Sequence, residues 1–192
     1  MIASLDCHAE YHPNFLSKEE ARTLYESLLS TYPVTRLHEI PMGAETHTTD
    51  YGKLNFLTPA LFKDNALPEA QWGPSAIFPR LLEDTRQRIK VLLAVNFEVG
   101  VAIYYPDGTV GVDYHTDYAA FGDTSIIASL SVGEERLFCL RNKKTGEIFQ
   151  QQLAAGSLFV MGEGCQENYE HSLPVDPIYK NPRLNITFRK FG

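Results

Sequence analysis

Cysteine is scarce. Cys7, Cys139 and Cys165 are odd in number and nowhere form a C-x-x-C spacing, so there is neither a disulfide framework nor a zinc knuckle, and reduced thiols in a cytoplasm are expected. Positive charge is also short: 17 basic residues face 24 acidic ones, for a net charge of −7. That argues against a broad cationic footprint for nucleic acid and leaves room only for a local basic patch. No apolar run approaches the roughly 20 residues needed to span a bilayer, and no charged stretch leads into an apolar one at the start. A soluble protein without a membrane partner is expected, cytoplasmic or, in a eukaryote, nuclear. Repeats and low-complexity tracts are missing too, while 44% hydrophobic and 21% charged residues are ordinary for a folded domain. At 192 residues one domain is expected, burying about two-thirds of its unfolded surface, as a monomer.

Two helices stand out. Ser17 and Glu20 form an S-x-x-E capping box, followed by the apolar stripe Ala21, Leu24, Tyr25, Leu28 and Leu29 until Pro33 stops it. A second amphipathic run carries Phe78, Leu81, Leu82, Ile89, Leu92 and Leu93, with Arg86, Arg88 and Lys90 toward its end. Between them, Thr35 to Pro74 is broken by prolines and glycines and reads as loop-rich.

After Asn96 the pattern changes to strands: Phe97 to Tyr105, Ile126 to Val132, Arg136 to Leu140, Ile148 to Leu153, Ser157 to Met161 and Arg183 to Phe191. Residues 141 to 146 have the composition of a hairpin tip. The expected fold is therefore α+β, a double-sheet jelly roll with supporting helices in front. On this reading residues 1–95 hold the helices and a loop-rich segment, and 96–192 hold the jelly-roll core.

The chemistry starts at His115-Thr116-Asp117, in an extended stretch after the turn Pro106-Asp107-Gly108. Side chains two apart on a strand point the same way, so imidazole and carboxylate can share an ion. Such triplets also arise by chance, so a second piece is needed. His171, in Tyr169-Glu170-His171-Ser172-Leu173-Pro174, offers it: two histidines and one carboxylate make the facial triad of non-haem Fe(II) oxygenases. In the last strand Arg183, Asn185, Thr187 and Arg189 alternate with Leu184, Ile186 and Phe188. One face is polar, the other apolar. An exposed edge strand would alternate as well, but the arginine fork and the asparagine amide suit a dicarboxylate inside a barrel.

Taken together, His115-x-Asp117, Ala128-Ser129-Leu130-Ser131-Val132-Gly133, Gly156-Ser157-Leu158, His171-Ser172-Leu173-Pro174 and Arg183-Leu184-Asn185-Ile186-Thr187-Phe188-Arg189 resemble the AlkB family of Fe(II)- and 2-oxoglutarate-dependent dioxygenases. The resemblance covers about Phe97 to Lys190 and is loose in the front half, through Pro41 and Tyr51-Gly52. It implies that His115, Asp117 and His171 bind Fe(II) and that Arg183 pairs with the distal carboxylate of 2-oxoglutarate. It further implies that Tyr105 and Asn185 hydrogen-bond the co-substrate and that Arg189 closes the pocket. With O2, such an enzyme turns 2-oxoglutarate into succinate and carbon dioxide while hydroxylating a C–H bond. On an N-methyl group the product collapses to formaldehyde and the bare nitrogen.

The implied substrate is alkylated DNA or RNA, in DNA repair; single or weakly paired strands are expected to be preferred, because extruding a base costs a few kcal/mol and this acidic chain has little basic surface to offset it. The match departs from the family where substrate is read. Tyr118, Ala119 and Ala120 stand where repair members carry an acidic residue, Ile103 replaces an asparagine, and Met42 an arginine. A protein side chain or a small metabolite is therefore kept as an alternative target, and a non-catalytic 2-oxoglutarate-binding module as a third. Candidate substrate residues are Tyr51, Trp72 and Tyr118, joined by Arg141 and Lys143 (with Lys144) at the hairpin tip for phosphates. His47 and Phe56 join Tyr51 and Trp72 in a prospective substrate lid, although aromatics in such a segment are commonly core residues.

Overall fold

The computed structural model describes residues 2, 4–42, 45–117, 119 and 122–192, apart from the side chains of 38, 40–42 and 45. Helix α1 (Lys18–Thr31) begins as the capping box dictates: the Ser17 Oγ accepts from the Glu20 amide at 3.2 Å and the Glu20 carboxylate accepts from the Ser17 amide at 2.7 Å. It buries Ala21, Leu24 and Leu28. The second long helix, α4 (Arg80–Leu93), buries Leu82, Thr85, Arg86 and Ile89. Arg86, expected toward the helix end, thus lies mid-helix and buried. Glu83 neutralises its guanidinium at 2.7 Å, and the Phe97 carbonyl accepts from it at 2.6 Å.

An eight-stranded sheet lies under these helices in the order β1 (Ala9–His12), β10 (Leu158–Met161), β7 (Ile127–Gly133), β12 (Arg183–Arg189), β5 (Val99–Tyr105), β3 (Glu45–Leu57) and β2 (Leu37–Met42), with β4 (Ser75–Ile77) added in parallel to β3. A four-stranded sheet runs β6 (Val112–His115), β11 (Tyr169–Leu173), β8 (Arg136–Asn142) and β9 (Ile148–Leu153). This is the expected jelly-roll arrangement. The alternation of β12 decides what sits where. Leu184, Ile186 and Phe188 are fully buried in one core with Leu24, Leu28, Leu82 and Ile89, each contributing about 1.5–3 kcal/mol. The opposite, polar face of β12 is turned into a cavity.

The front half differs from its expected loop-rich character. Residues 35–74 supply β2, the thirteen-residue β3, and the short helices α2 (Pro59–Lys63) and α3 (Glu69–Trp72). The apolar period is missing because much of β3 is polar and one of its faces lines a cavity. Gly52, whose sequence appearance is that of a breaker, lies inside β3 because a Cβ there would stand 2.2 Å from the Val34 carbonyl oxygen. Phe56 belongs to the core, edge-on to Tyr32 at 5.3 Å and stacked on Phe78 at 6.1 Å, and is no lid residue. Three short strands, β1, β4 and β11, also escaped the pattern. Among the described residues no helix is long and apolar enough to cross a membrane.

Candidate metal and co-substrate site

Strand register brings the two histidines together. In the antiparallel pair β6 and β11, His115 faces His171 directly, with ring centroids 4.3 Å apart. The Asp113 carbonyl lies 2.8 Å from His115 Nδ1, so that nitrogen carries the proton and Nε2 keeps its lone pair for a ligand. Asp117 follows the end of β6, and its Oδ2 lies 3.8 Å from His171 Nε2. One ligand atom from each of the three falls within 4.8 Å of the others. Two imidazoles and one carboxylate on one side of a centre match the facial triad.

The electrostatics fit a cation at that centre. Burial pushes the Asp117 carboxyl up, but Arg189, His171 and His115 outweigh it and hold the group below the usual range. Arg189 is hydrogen-bonded to Asp117 Oδ1, while the buried Oδ2 has no hydrogen-bond partner. An orphaned carboxylate oxygen beside two histidines is what a metal ion would satisfy. Burial lowers His171 to about 4, only partly opposed by Asp117. The imidazole is therefore neutral at pH 7, the form in which it ligates.

A cavity of about 330 Å³ opens from these three residues between the two sheets. Its other wall is the polar face of β12. Arg183 is 2% exposed. It donates to Ser131 Oγ at 2.9 Å and lies 5.6 Å from the Tyr105 ring centre. Its Nε has no acceptor, and among the described residues no carboxylate pairs with it. Burial lowers its pKa to about 10, so it stays charged. A buried guanidinium without a counter-ion is costly unless an anion comes to it, and a carboxylate matches its fork. Tyr105, opposite Arg183 in the ladder, is pushed up to about 12 by burial and remains a neutral phenol. Asn185 is already engaged: its Nδ2 donates to Ser129 Oγ at 2.8 Å and to the Leu130 carbonyl at 2.9 Å. Both amide hydrogens are spent, so donation to a carboxylate would require releasing one.

The substrate candidates divide. Tyr51 and Trp72 line the cavity, and the Tyr51 ring lies 6.4 Å from that of Tyr105. His47 is exposed on β3. Tyr118 and Ala120 lie outside the described residues. Arg141 and Lys143 are not part of the cavity. Arg141 pairs with Glu170 at 2.6 Å and caps the Tyr114 ring at 3.9 Å, and Lys143 Nζ donates to the Gln166 carbonyl at 2.7 Å.

Three residues escaped the sequence reading. Lys53 lines the cavity, and its ammonium pKa is lowered by burial and then by Arg189. It makes no ion pair among the described residues. The available signal was its position two after Tyr51 on one strand. Arg136, fully buried, donates to the carbonyls of Asp107, Val110 and Pro174 at 2.9, 3.1 and 3.0 Å. It thereby ties the turn before β6 to the end of β11. Gln166 accepts a hydrogen bond from the Asp117 amide at 2.9 Å. Nothing in the local sequence of either marks these long-range roles.

A search among known proteins agrees with this geometry. The family model described as the 2OG-Fe(II) oxygenase superfamily matches residues 8–189. The mouse protein named DNA oxidative demethylase ALKBH2 is 34% identical over 138 residues, 67% of this chain and 55% of that protein. Mouse alpha-ketoglutarate-dependent dioxygenase alkB homolog 3 is 26% identical over 192 residues, 93% of this chain and 64% of that one. This chain thus spans 55 to 64% of the length of those two relatives. Among solved structures, OsALKBH1 superposes with a TM-score of 0.62 over 97% of this chain and 99% of that one, at 13% identity. At that identity the likeness speaks for the fold. With the family model running across both sheets and through His115, Asp117, His171 and Arg183, this chain belongs to the 2OG-Fe(II) oxygenase superfamily.

Proposed function

We propose that this chain uses Fe(II), 2-oxoglutarate and O2 to remove alkyl groups from nucleic acid bases oxidatively, acting as a monomer on single-stranded or weakly paired strands. The observation that carries the reading is the conjunction, in one cavity, of a three-ligand cluster and a buried guanidinium that lacks a carboxylate. His115, Asp117 and His171 would hold the metal, and Arg183 the distal carboxylate of 2-oxoglutarate, with Tyr105 beside it. When bound, metal and co-substrate supply an oxidant that hydroxylates a C–H bond as 2-oxoglutarate becomes succinate and carbon dioxide. Hydroxylation of an N-methyl group leaves a hemiaminal that releases formaldehyde. Arg189 keeps Asp117 ionised and leaves its Oδ2 for the metal.

Charge supports a nucleic acid target. The cavity presents Lys53, Arg183 and Arg189 against the single carboxylate of Asp117. A divalent metal and a dicarboxylate cancel each other, so the loaded site keeps a surplus of two positive charges in a chain whose net charge is −7. A phosphate-bearing substrate meets that surplus, and the name of the ALKBH2 relative, a DNA oxidative demethylase, points to alkylated bases. Extruding a base costs a few kcal/mol, and this acidic chain has little basic surface to offset it, hence the preference for unpaired strands.

The test is succinate and formaldehyde release under Fe(II) and 2-oxoglutarate, with methylated single-stranded oligonucleotides, methylated peptides and no substrate compared. Stoichiometric formaldehyde is expected from the oligonucleotides alone. Succinate release that no oligonucleotide raises above the background would refute the nucleic acid reading. Release driven by peptides would transfer it to a protein side chain.

A further inference from the structure

The three candidate ligands are not held equally. His115 and His171 sit in strands, fixed by the ladder between β6 and β11. Asp117 lies two residues beyond β6, where that ladder has ended. Its amide is held instead by a side chain from elsewhere, the Gln166 Oε1 at 2.9 Å. The orientation of this amide follows from its neighbours. The Asp117 N–H needs an acceptor, and Gln166 Nε2 lies 3.7 Å from the Met161 sulfur, a weak acceptor.

Gln166 itself is braced. It sits in the single turn α5 (Cys165–Asn168), entered through Gly164 at φ 82°. Cys165 Sγ donates to the His8 carbonyl at 3.3 Å, and Asn168 Nδ2 donates to the Asp6 carbonyl at 2.9 Å. From the hairpin, Lys143 donates through Nζ to the Gln166 carbonyl at 2.7 Å and through its amide to the Asn168 carbonyl at 2.9 Å. A rigid turn thus presents one acceptor to the ligand that lacks strand support.

We infer that Gln166 is a positioning residue for the metal centre: by holding the Asp117 amide it sets where the Asp117 carboxylate points, and Lys143 anchors the turn that carries it. The inference rests on the reading of His115, Asp117 and His171 as metal ligands. A group that orients a ligand without touching the metal changes affinity by about 10- to 100-fold in known metal sites.

The experiment is Co(II) titration of the metal-free protein, followed by visible absorption, for wild type, Gln166→Leu and Gln166→Glu, with thermal unfolding of each metal-free protein alongside. Leucine keeps the bulk and loses the acceptor. Glutamate keeps the acceptor. The expected result is Co(II) binding at least about tenfold weaker in Q166L, restored in Q166E to within a few-fold of wild type, with the metal-free proteins unfolding together. Should Q166L unfold early, Gln166→Ala carries the same comparison against Q166E. Wild-type affinity in Q166L would overturn the inference, and so would equal losses in Q166L and Q166E, which would mean that bulk alone matters. Failure of wild type to bind Co(II), or undiminished binding in His171→Ala, would overturn the metal reading and the inference with it.

Discussion

Replacing Arg183 by methionine should separate stability from ligand binding. Arg183 is buried and charged, and among the described residues it has one side-chain hydrogen bond, to Ser131, and an Nε without an acceptor. Without a ligand it is an uncompensated ion, whose effective desolvation penalty is several kcal/mol. Methionine fills the same stem volume and removes that penalty, at the cost of the one hydrogen bond, about 1 kcal/mol. Ligand-free R183M should therefore unfold no more than about 2–4 °C below wild type, the shift of 1 kcal/mol in a domain of this size, or above it. Co-substrate binding should behave oppositely. Two charge-assisted hydrogen bonds to a carboxylate, at about 1.5–3 kcal/mol each, correspond to a Kd at least about a hundredfold weaker. At 2-oxoglutarate a hundred times the wild-type Kd, wild type gains about 2.7 kcal/mol, or roughly 5–11 °C. The variant gains about 0.4 kcal/mol, near 1 °C. Thermal unfolding with Mn(II), with and without 2-oxoglutarate, reads both effects. A full co-substrate shift in R183M would move the anchor to Arg189 or Lys53. A loss of more than about 3 kcal/mol in the ligand-free protein would make Arg183 structural and refute the reasoning.

Lys53→Met should raise the KM for a methylated oligonucleotide about tenfold and change kcat little, because Lys53 is a cavity cation that makes no ion pair among the described residues; steady-state formaldehyde release measures both, and an unchanged KM would remove Lys53 from substrate binding. Neutralising Arg141 and Lys143 together should leave the salt dependence of oligonucleotide binding nearly unchanged, since both side chains are engaged within the fold. A log–log slope lowered by about one per lost phosphate contact would return the hairpin tip to the interface.

Legibility in the sequence followed the range of the forces involved. The capping box of α1 and the alternation of β12 are local devices, so their residues announce the elements and their faces. The pair His115 and Asp117 was visible through strand parity, whereas joining His171 to it required a fold, since the residues are 54 positions apart (171 − 117). β3 was missed because its exposed first half and the cavity face of its second half remove the apolar period on which pattern reading depends. From the sequence, Arg86 is only a basic residue toward a helix end and Arg136 only the start of a strand. Their burial rests on Glu83 and on three backbone carbonyls that only tertiary structure supplies. Gln166 and the engagement of Arg141 by Tyr114 and Glu170 were hidden for the same reason: each is a contact between distant segments without a signature at either end.

The two ends of the cavity belong to different layers. The histidines stand on the four-stranded sheet and Arg183 on the eight-stranded one, joined in the ligand-free protein by the link from Arg189 to Asp117. A molecule gripped by metal at one end and guanidinium at the other is therefore a strut between the layers. Its arrival should slow amide hydrogen exchange in β6 and β11, far from the carboxylate it presents to Arg183, more than metal alone does. Co-substrate would then act as a structural member as well as a reagent, closing the sandwich it is about to be consumed in.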